Sequence, residues 1–423
     1  MKLLKNSIWN IGGYAIPTLI SIPLLAIISR EIGIEKFSIL LMFFSIVGYA
    51  SIFDAGLSRS IVWFVAKNKN NIVSIGNAIY SSSLIVIAIG LIISLLIFFL
   101  SFNVTNLLNV SHENFDDISK SIKLLSFAIV PFLFTKILMG YFEGIQEFNV
   151  LNVHKSISGI LLMVLPTVST SIDSNLTTIT YALVLARVIS MIYALFLISR
   201  VIKIKNMSFD WDMIKSLLKF GGWVTASNII SPIMVYFDRF ILSNMLGAKV
   251  ASIYIIPSEI VSKLSIFPAA IAKAIFPLLS SNLSSIDNVK KYSEQSFWML
   301  LISSLVIAAP IFTFSNELLY LWIGPETPKE SGLILKVLIV GFVCNALAQL
   351  PFSKIQAEGG SHVTAYVHIV EMPVYLLFLY IMVKSYGVFG AAVIWSIRNV
   401  VDLVILQFLS CKKGRVWAIT TLH

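Results

Sequence analysis

Charged residues are scarce in this sequence. Asp, Glu, Lys and Arg make up 12% of its 423 residues, which is about half of the share found in soluble globular domains. Hydrophobic residues make up 57%, and the mean hydropathy is +0.90. A water-soluble fold cannot cover so much apolar surface, so lipid must be the solvent for most of the chain.

Cysteine is almost absent, and the polar stretches are short. Cys344 and Cys411 both lie in apolar runs, and no Cys-x-x-Cys motif or His/Cys cluster occurs. We therefore predict neither a disulfide framework nor a metal site, and no cofactor. The two longest polar stretches, 103–120 and 316–330, are too short to form a catalytic domain outside the membrane. This predicts a protein that is not an enzyme.

The chain is instead rich in apolar segments of about 20 residues, the length that crosses a bilayer as a helix. These segments are 8–29, 37–62, 72–100, 121–142, 151–171, 178–199, 219–246, 251–279, 295–315, 332–352, 363–383 and 388–410. They predict an all-α polytopic membrane protein with about twelve transmembrane helices. The first segment has no small-x-small cleavage site after it and is predicted to be an uncleaved span. Lys and Arg in the short connections favour a cytoplasmic location for both termini.

The sequence also contains an internal repeat. "SIFDAGLSRSIVW" at 51–63 returns as "SIFPAAIAKAIFP" at 265–277, and the same separation relates Gly33 to Gly247 and the two copies of Leu-Leu-Lys. Matches in the same order predict two lobes of six helices each, residues 1–205 and 206–423. An even number of helices per lobe gives both lobes the same orientation, as in transporters built from parallel repeats.

Basic residues occur inside the predicted spans, where each costs about 2.5–3.5 kcal/mol if it lies at the centre of a lipid-facing helix. They are Arg59, Lys136, Arg187, Arg239, Lys263, Lys273, Lys336 and Arg398. Glu259 and Lys263 are four residues apart, as are Arg398 and Asp402, so each pair can neutralise itself on one helix face. Arg239 follows Asp238, and adjacent helical residues point about 100° apart, so their partners are expected on other helices.

Four of these cations have no acidic residue three or four positions away: Arg59, Lys136, Arg187 and Lys273. We predict that they face a water-filled cavity that binds an anionic headgroup, for which a diphosphate is a good match. The predicted substrate-binding residues are Arg59, Lys136, Arg187, Arg239, Lys273 and Arg398. Arg59 and Lys273 occupy equivalent positions in the repeat and would place one cation on each lobe at the cytoplasmic entrance.

Carboxylates in the spans are candidates for coupling transport to an H⁺ or Na⁺ gradient, or for bracing the cations. We select Asp54, Asp238, Glu371 and Asp402. Asp54 is expected either to brace Arg59 or to bond a neighbouring helix. His154 and His368 are interpreted as packing or interfacial residues.

Longer stretches resemble a known family. "REIGIEKFSILLMFFSIVGYASIFDAGLSRSI" at 30–61 contains an Asp-x-Gly-Leu motif, and "YFDRFILSNMLGAKVASIYIIPSEIVSKLSIFPAAIAKAIFPLLS" at 236–280 contains an Asp-Arg pair, Leu-Gly and Phe-Pro. "GYFEGIQEFNVLN" at 140–152 and "KIQAEGGSHVTAY" at 354–366 fit the same pattern. These stretches are similar to the O-antigen (Wzx-type) polysaccharide flippases of the multidrug/oligosaccharidyl-lipid/polysaccharide (MOP) exporter superfamily.

The resemblance implies a flippase of the bacterial inner membrane. Its substrate would be an undecaprenyl-diphosphate-linked oligosaccharide of O-antigen or another surface polysaccharide. It would contact membrane lipid and would not bind nucleic acid. Polymerase and chain-length proteins of the same pathway are the implied protein partners. The alternatives are a multidrug or cation exporter of the same fold and a lipid scramblase without energy coupling. A membrane glycosyltransferase would need a larger extracytoplasmic loop than this chain has.

Overall fold

The computed structural model of the protein describes residues 2–49, 54, 56–68, 71–202, 208–281, 286–358 and 360–412. Within these ranges the chain is almost entirely α-helical and contains no β-strand, which confirms the predicted all-α class. Short 3₁₀ turns lie at His112–Asn114 and Ser126–Ala128. The helices are α1 (Lys2–Ile32), α2 (Ile34–Tyr49), α3 (Leu57–Lys67), α4 (Ile72–Leu107), α5 (Phe115–Leu125), α6 (Ile129–Gly144), α7 (Phe148–Ser169), α8 (Leu176–Ser199), α9 (Trp211–Leu246), α10 (Ala248–Leu264), α11 (Ile266–Ser281), α12 (Ile286–Thr313), α13 (Ser315–Ile323), α14 (Ser331–Ala357) and α15 (Ser361–Lys412).

Among the described residues, each predicted span lies mostly on helix, although several spans are divided; residues 50–53 and 55 of the span 37–62 lie outside the described ranges. The spans 37–62, 121–142 and 251–279 are each divided between two helices, and the last two spans are the two arms of α15, which reverses at Gly387 (φ 59°, ψ −140°). Helix α13 lies largely in the polar stretch 316–330, for which no helix was predicted. Eight helical stretches of the described chain are long and apolar enough to cross a membrane. The number of twelve spans and the side of the termini stay predictions.

Apolar surface faces outward on these helices. In α4, only 22% of the most apolar window is buried, and Phe99 is 75% exposed. The stretch His112–Gly144 is more enclosed by other helices, because 61% of its most apolar window is buried. A helix that exposes Phe and Leu over most of its length is stable only in lipid, and its internal hydrogen bonds satisfy its backbone there. The protein is therefore a multi-pass membrane protein.

The helices form two compact units. The first unit contains residues Met1–Pro232 and Gly247–Lys249, and the second contains Ile233–Leu246 and Val250–His423. In the first, α6 packs against α3, α4 and α8, and α7 packs against α1 and α8. In the second, α14 packs against α11, α12 and α15. The division of the sequence into lobes at residues 205 and 206 stays a prediction.

Two glycines mark equivalent junctions in the repeat. Gly33 is the single residue between α1 and α2, and Gly247 is the single residue between α9 and α10. Both adopt the left-handed backbone conformation, with φ of 77° and 87°. Glycine adopts this conformation without a steric penalty, whereas other residues are strained in it. The two positions that the repeat pairs in sequence thus have the same backbone geometry.

Candidate functional site

Asp54 stabilises the start of α3. Its carboxylate accepts hydrogen bonds from the backbone N–H of Gly56, at 2.8 Å, and from the hydroxyl of Ser58. A carboxylate that accepts bonds from a helix start satisfies donors that have no partner within the helix. The recorded partners of Asp54 lie in its own turn, rather than on Arg59 or a neighbouring helix as we expected.

Arg59 has an acidic partner on another helix. Its Nη1 is 3.1 Å from Oε1 of Glu143 on α6. Helices α3 and α6 approach closely because Gly144 has no side chain: a Cβ there would lie 2.7 Å from Cβ of Val65. The Arg59 side chain is 60% exposed. The acid that pairs with Arg59 therefore comes from another helix, rather than from a position three or four residues away.

Lys136 and Arg187 meet at one aromatic ring. Phe132 and Lys136 lie one turn apart on α6, and the Lys136 ammonium is 5.3 Å from the ring centroid. The Arg187 guanidinium, from α8, lies 4.7 Å from the same centroid. Nε of Arg187 is buried without a hydrogen-bond partner, and no described carboxylate is within ion-pair distance of this arginine. We call Phe132, Lys136 and Arg187 the cation cluster.

In the second unit, Arg239 lies in an ionic network. Its side chain is 1% exposed, and its Nη1 and Nη2 donate to Oε2 of Glu259 on α10 at 3.2 and 3.1 Å. Oε1 of Glu259 is 3.3 Å from Nζ of Lys263. Both expectations hold: Glu259 and Lys263 pair along one helix face, and Arg239 finds its acid on another helix.

Asp238 lines a cavity of about 170 Å³ within the second unit, whose wall contains both apolar and polar side chains. Its carboxylate accepts hydrogen bonds from the hydroxyl of Tyr254 and, at 2.7 Å, from the backbone N–H of Arg239. The other polar lining includes Arg239, Arg398, Asn345 and Asn399. A cavity of this size and polarity has room for several water molecules. Buried charges here can thus keep water as a partner inside a membrane-spanning unit.

Arg398 pairs differently from the sequence expectation. Its Nε is 3.2 Å from Oε1 of Glu371, and its Nη1 donates to the backbone carbonyl of Met234 at 3.1 Å. Asp402, one turn from Arg398 on the same helix, lies instead 3.8 Å from Nε2 of His368. The prediction that Arg398 pairs with Asp402 is wrong. The first arm of α15 brings Glu371 to Arg398, and Glu371 forms the ion pair instead.

The remaining predicted cation, Lys273, lies on α11, and its side chain is outside what the structure describes. Among the other predicted binding residues, the structure brings Lys136 and Arg187 to one ring. It gives Arg59, Arg239 and Arg398 each a carboxylate. Roles in substrate binding and ion coupling stay predictions for all of them.

Sequence reasoning missed the surroundings of His368. It was interpreted as a packing or interfacial residue, and its ring does stack on Phe352, with 6.0 Å between centroids and 10° between planes. It also lies beside Asp402 and near Glu371. The spacing His368-x-x-Glu371, which places both side chains on one helix face, was the available signal.

Comparisons with known proteins assign the chain to a family. The model of the family described as "Polysaccharide biosynthesis protein" matches residues 3–283, and the model described as "MatE" matches residues 224–381. The protein named "Putative O-antigen transporter" from Shigella flexneri is 39% identical over 417 residues, which cover 99% of this chain and 100% of that protein.

The chain belongs to the polysaccharide biosynthesis protein family.

Solved structures place this family member in the MOP transporter fold. An inward-facing multidrug resistance MATE family transporter of the MOP superfamily matches with a TM-score of 0.83 at 16% identity, covering 95% of this chain and 97% of that one. An outward-facing MATE family transporter matches with a TM-score of 0.71, and a MOP superfamily transporter from Pyrococcus furiosus matches with a TM-score of 0.70. Both are 16% identical to this chain, and each match covers 97% of this chain and 95% of the solved one.

The family and the fold confirm the resemblance seen in the sequence. This family member is a multi-pass protein of the inner membrane, and its family is one of transport rather than of enzyme catalysis.

Proposed function

We propose that this protein is a flippase that moves undecaprenyl-diphosphate-linked oligosaccharide repeat units from the cytoplasmic to the periplasmic leaflet by alternating access. The full-length similarity to a protein named as an O-antigen transporter supports this assignment. The single observation that carries the substrate class is the cation cluster. Its basic groups lie on an aromatic ring within membrane-spanning helices.

A diphosphate is the anion that best fits such a cluster. Arg187 is retained at membrane depth without a described carboxylate beside it, which is unfavourable unless another anion or water solvates it. Its planar guanidinium can donate two parallel hydrogen bonds to phosphate oxygens, while Lys136 adds a second positive charge. The flat face of Phe132 holds both cations in place through cation–π attraction. In this proposal, the headgroup replaces water around these groups during transport.

The proposal includes coupling to an H⁺ or Na⁺ gradient through a carboxylate of the second unit. Asp238, which lines the cavity of the second unit, is the coupling carboxylate. Glu371 and Asp402, on the two arms of α15, brace Arg398 and His368. Asp54, which caps α3, is a bracing rather than a coupling residue. The repeat units would then pass to the polymerase and chain-length proteins of the same pathway.

The test is complementation of a bacterium that lacks its own repeat-unit flippase, with surface polysaccharide as the readout. Wild type is expected to restore export and Arg187→Ala to abolish it, while Arg187→Lys retains part of the activity. The matched control is Lys215→Ala, which removes an exposed cation from the start of α9. Equal membrane levels of all variants, measured by immunoblot, are required.

Restored export by Arg187→Ala would contradict the role of the cation cluster. Failure of wild type in hosts with several different repeat units would contradict the substrate class. A multidrug or cation exporter is the alternative function, and it predicts that expression raises resistance to cationic drugs without restoring polysaccharide. The double variant Arg59→Ala/Lys273→Ala tests the predicted entrance separately.

A further inference from the structure

Three potential metal ligands converge on the hairpin formed by α15. One donor atom each from His368, Glu371 and Asp402 lie within 4.8 Å of one another. His368 and Glu371 are three residues apart on the first arm, so they share a helix face. Asp402 comes from the second arm, which returns alongside the first after the reversal at Gly387. The cluster therefore depends on the hairpin, and no local sequence motif contains all three residues.

The two carboxylates each keep an unused oxygen in this cluster. Glu371 gives Oε1 to Arg398, but its Oε2 is buried without a hydrogen-bond partner. Oδ1 of Asp402 is likewise buried without one, since Nε2 of His368 at 3.8 Å is beyond hydrogen-bond distance. Both side chains are 9% exposed. A buried carboxylate oxygen without a donor is strongly unfavourable, so the observation points to a missing positively charged ligand.

The charge of the surrounding buried groups also leaves room for a cation. Among the described residues of the second unit, buried acids outnumber buried arginines. The arginines are Arg239 and Arg398, and the acids are Asp238, Glu259, Glu371 and Asp402. Lys263 offsets part of the excess, but its side chain is 25% exposed and lies on Glu259. A doubly charged ion would compensate the remaining carboxylates more fully than one proton.

The donor types identify the class of ion. Imidazole nitrogen together with carboxylate oxygen suits Zn²⁺ and related first-row metals, whereas Ca²⁺, Mg²⁺ and Na⁺ prefer sites made of oxygen alone. Three protein ligands leave a fourth position for water, as in open zinc sites. The stacking of His368 on Phe352 fixes the orientation of its ring.

We propose that His368, Glu371 and Asp402 bind a divalent transition-metal ion of the Zn²⁺ type. The ion links the two arms of α15. Because Glu371 also holds Arg398, and Arg398 donates to the backbone of Met234 on α9, the ion secures the position of this arginine relative to α9. The site is thus a metal clamp within the second unit, separate from the cation cluster of the first.

The test uses full-length, tag-free protein in lipid nanodiscs, stripped with a chelator and titrated with Co²⁺. Co²⁺ has visible absorption bands that report its ligands, and Zn²⁺ is expected to displace it. Wild type should bind one ion per chain. His368→Gln and Asp402→Asn should each weaken binding by at least about 100-fold, because loss of a ligand costs more than loss of an outer partner of a ligand, which costs about 10–100-fold. The matched control is His362→Gln, which removes an exposed histidine from the same helix and should bind normally.

One further variant separates coordination from a structural role. His368→Cys replaces one metal ligand by another, so it should still bind Co²⁺ and add a sulfur-to-cobalt charge-transfer band in the near ultraviolet that wild type lacks. Absence of saturable binding to wild type, unchanged affinity in folded Asp402→Asn and His368→Gln, or loss of binding only in His362→Gln would each overturn the proposal. Proton uptake without metal binding would overturn it too. None of these measurements involves transport, so they are independent of the proposed flippase activity.

Discussion

Arg398 donates to Glu371, with 3.2 Å between Nε and Oε1, although Asp402 lies one turn away on its own helix. Both side chains of this pair are 9% exposed. Arg398 also donates to the carbonyl of Met234, so the pair joins both arms of α15 to α9. A buried arginine held in this way depends on its acid, because removal of the acid leaves an uncompensated buried charge.

Glu371→Gln is expected to lower the free energy of unfolding by about 3 kcal/mol, since it leaves a buried guanidinium without a countercharge. Denaturant titration of the purified protein in detergent measures this, with far-ultraviolet circular dichroism as the probe. The double variant Glu371→Gln/Arg398→Met should recover part of the loss, because it removes the stranded charge as well. Wild-type stability in Glu371→Gln alone would show that water solvates Arg398.

Arg59 and Glu143 form a pair of the opposite kind. Because the Arg59 side chain is 60% exposed, solvent screens the attraction, and Glu143→Gln should change stability by less than about 1 kcal/mol. If Arg59 binds the substrate headgroup, Arg59→Ala should reduce export while Glu143→Gln does not. Surface polysaccharide measured in cells and unfolding measured in detergent separate the two effects. An equal loss of export in both variants would mean that the ion pair itself is what transport needs.

Gly144 permits the close contact between α3 and α6. A Cβ at this position would lie 2.7 Å from Cβ of Val65 and 2.9 Å from the carbonyl oxygen of Val62. Gly144→Ala should therefore destabilise the protein by about 1–3 kcal/mol, the usual range for overpacking. Adding Val65→Ala should restore only part of this, because the clash with the backbone oxygen remains. Complete rescue would indicate that the side chain of Val65 alone sets the spacing.

Gly33 and Gly247 should respond to substitution in a related way. Alanine at either position has to adopt a left-handed conformation, which costs about 1–2 kcal/mol. At Gly247 alanine meets an additional close contact, because its Cβ would lie 3.3 Å from the carbonyl oxygen of Asn109. Asparagine tolerates this conformation better and should be milder than alanine at Gly33. Thermal unfolding of the three variants in one detergent makes the comparison, and equal effects of alanine and asparagine at Gly33 would contradict it.

Particular residues show how far sequence reasoning reached. The Glu259–Lys263 pair was predictable because residues four apart on a helix are neighbours whatever the rest of the fold does. The same rule failed for Arg398, because a carboxylate on an antiparallel arm competed with the local one. It also left Arg59 without a partner, because Glu143 is far away in sequence. The convergence of His368 and Glu371 with Asp402 was invisible for the same reason.

The sequence by itself determined that this protein is helical and resides in a membrane, because apolar segments of that length can satisfy their backbone in lipid only as helices. It also determined the glycines at which paired helices join, because their backbone angles exclude most other residues. Only the tertiary structure decided which acid each paired cation meets, and that Arg187 meets none among the described residues. Those partners come from different helices, and packing brings them together at distances that no spacing along the chain encodes.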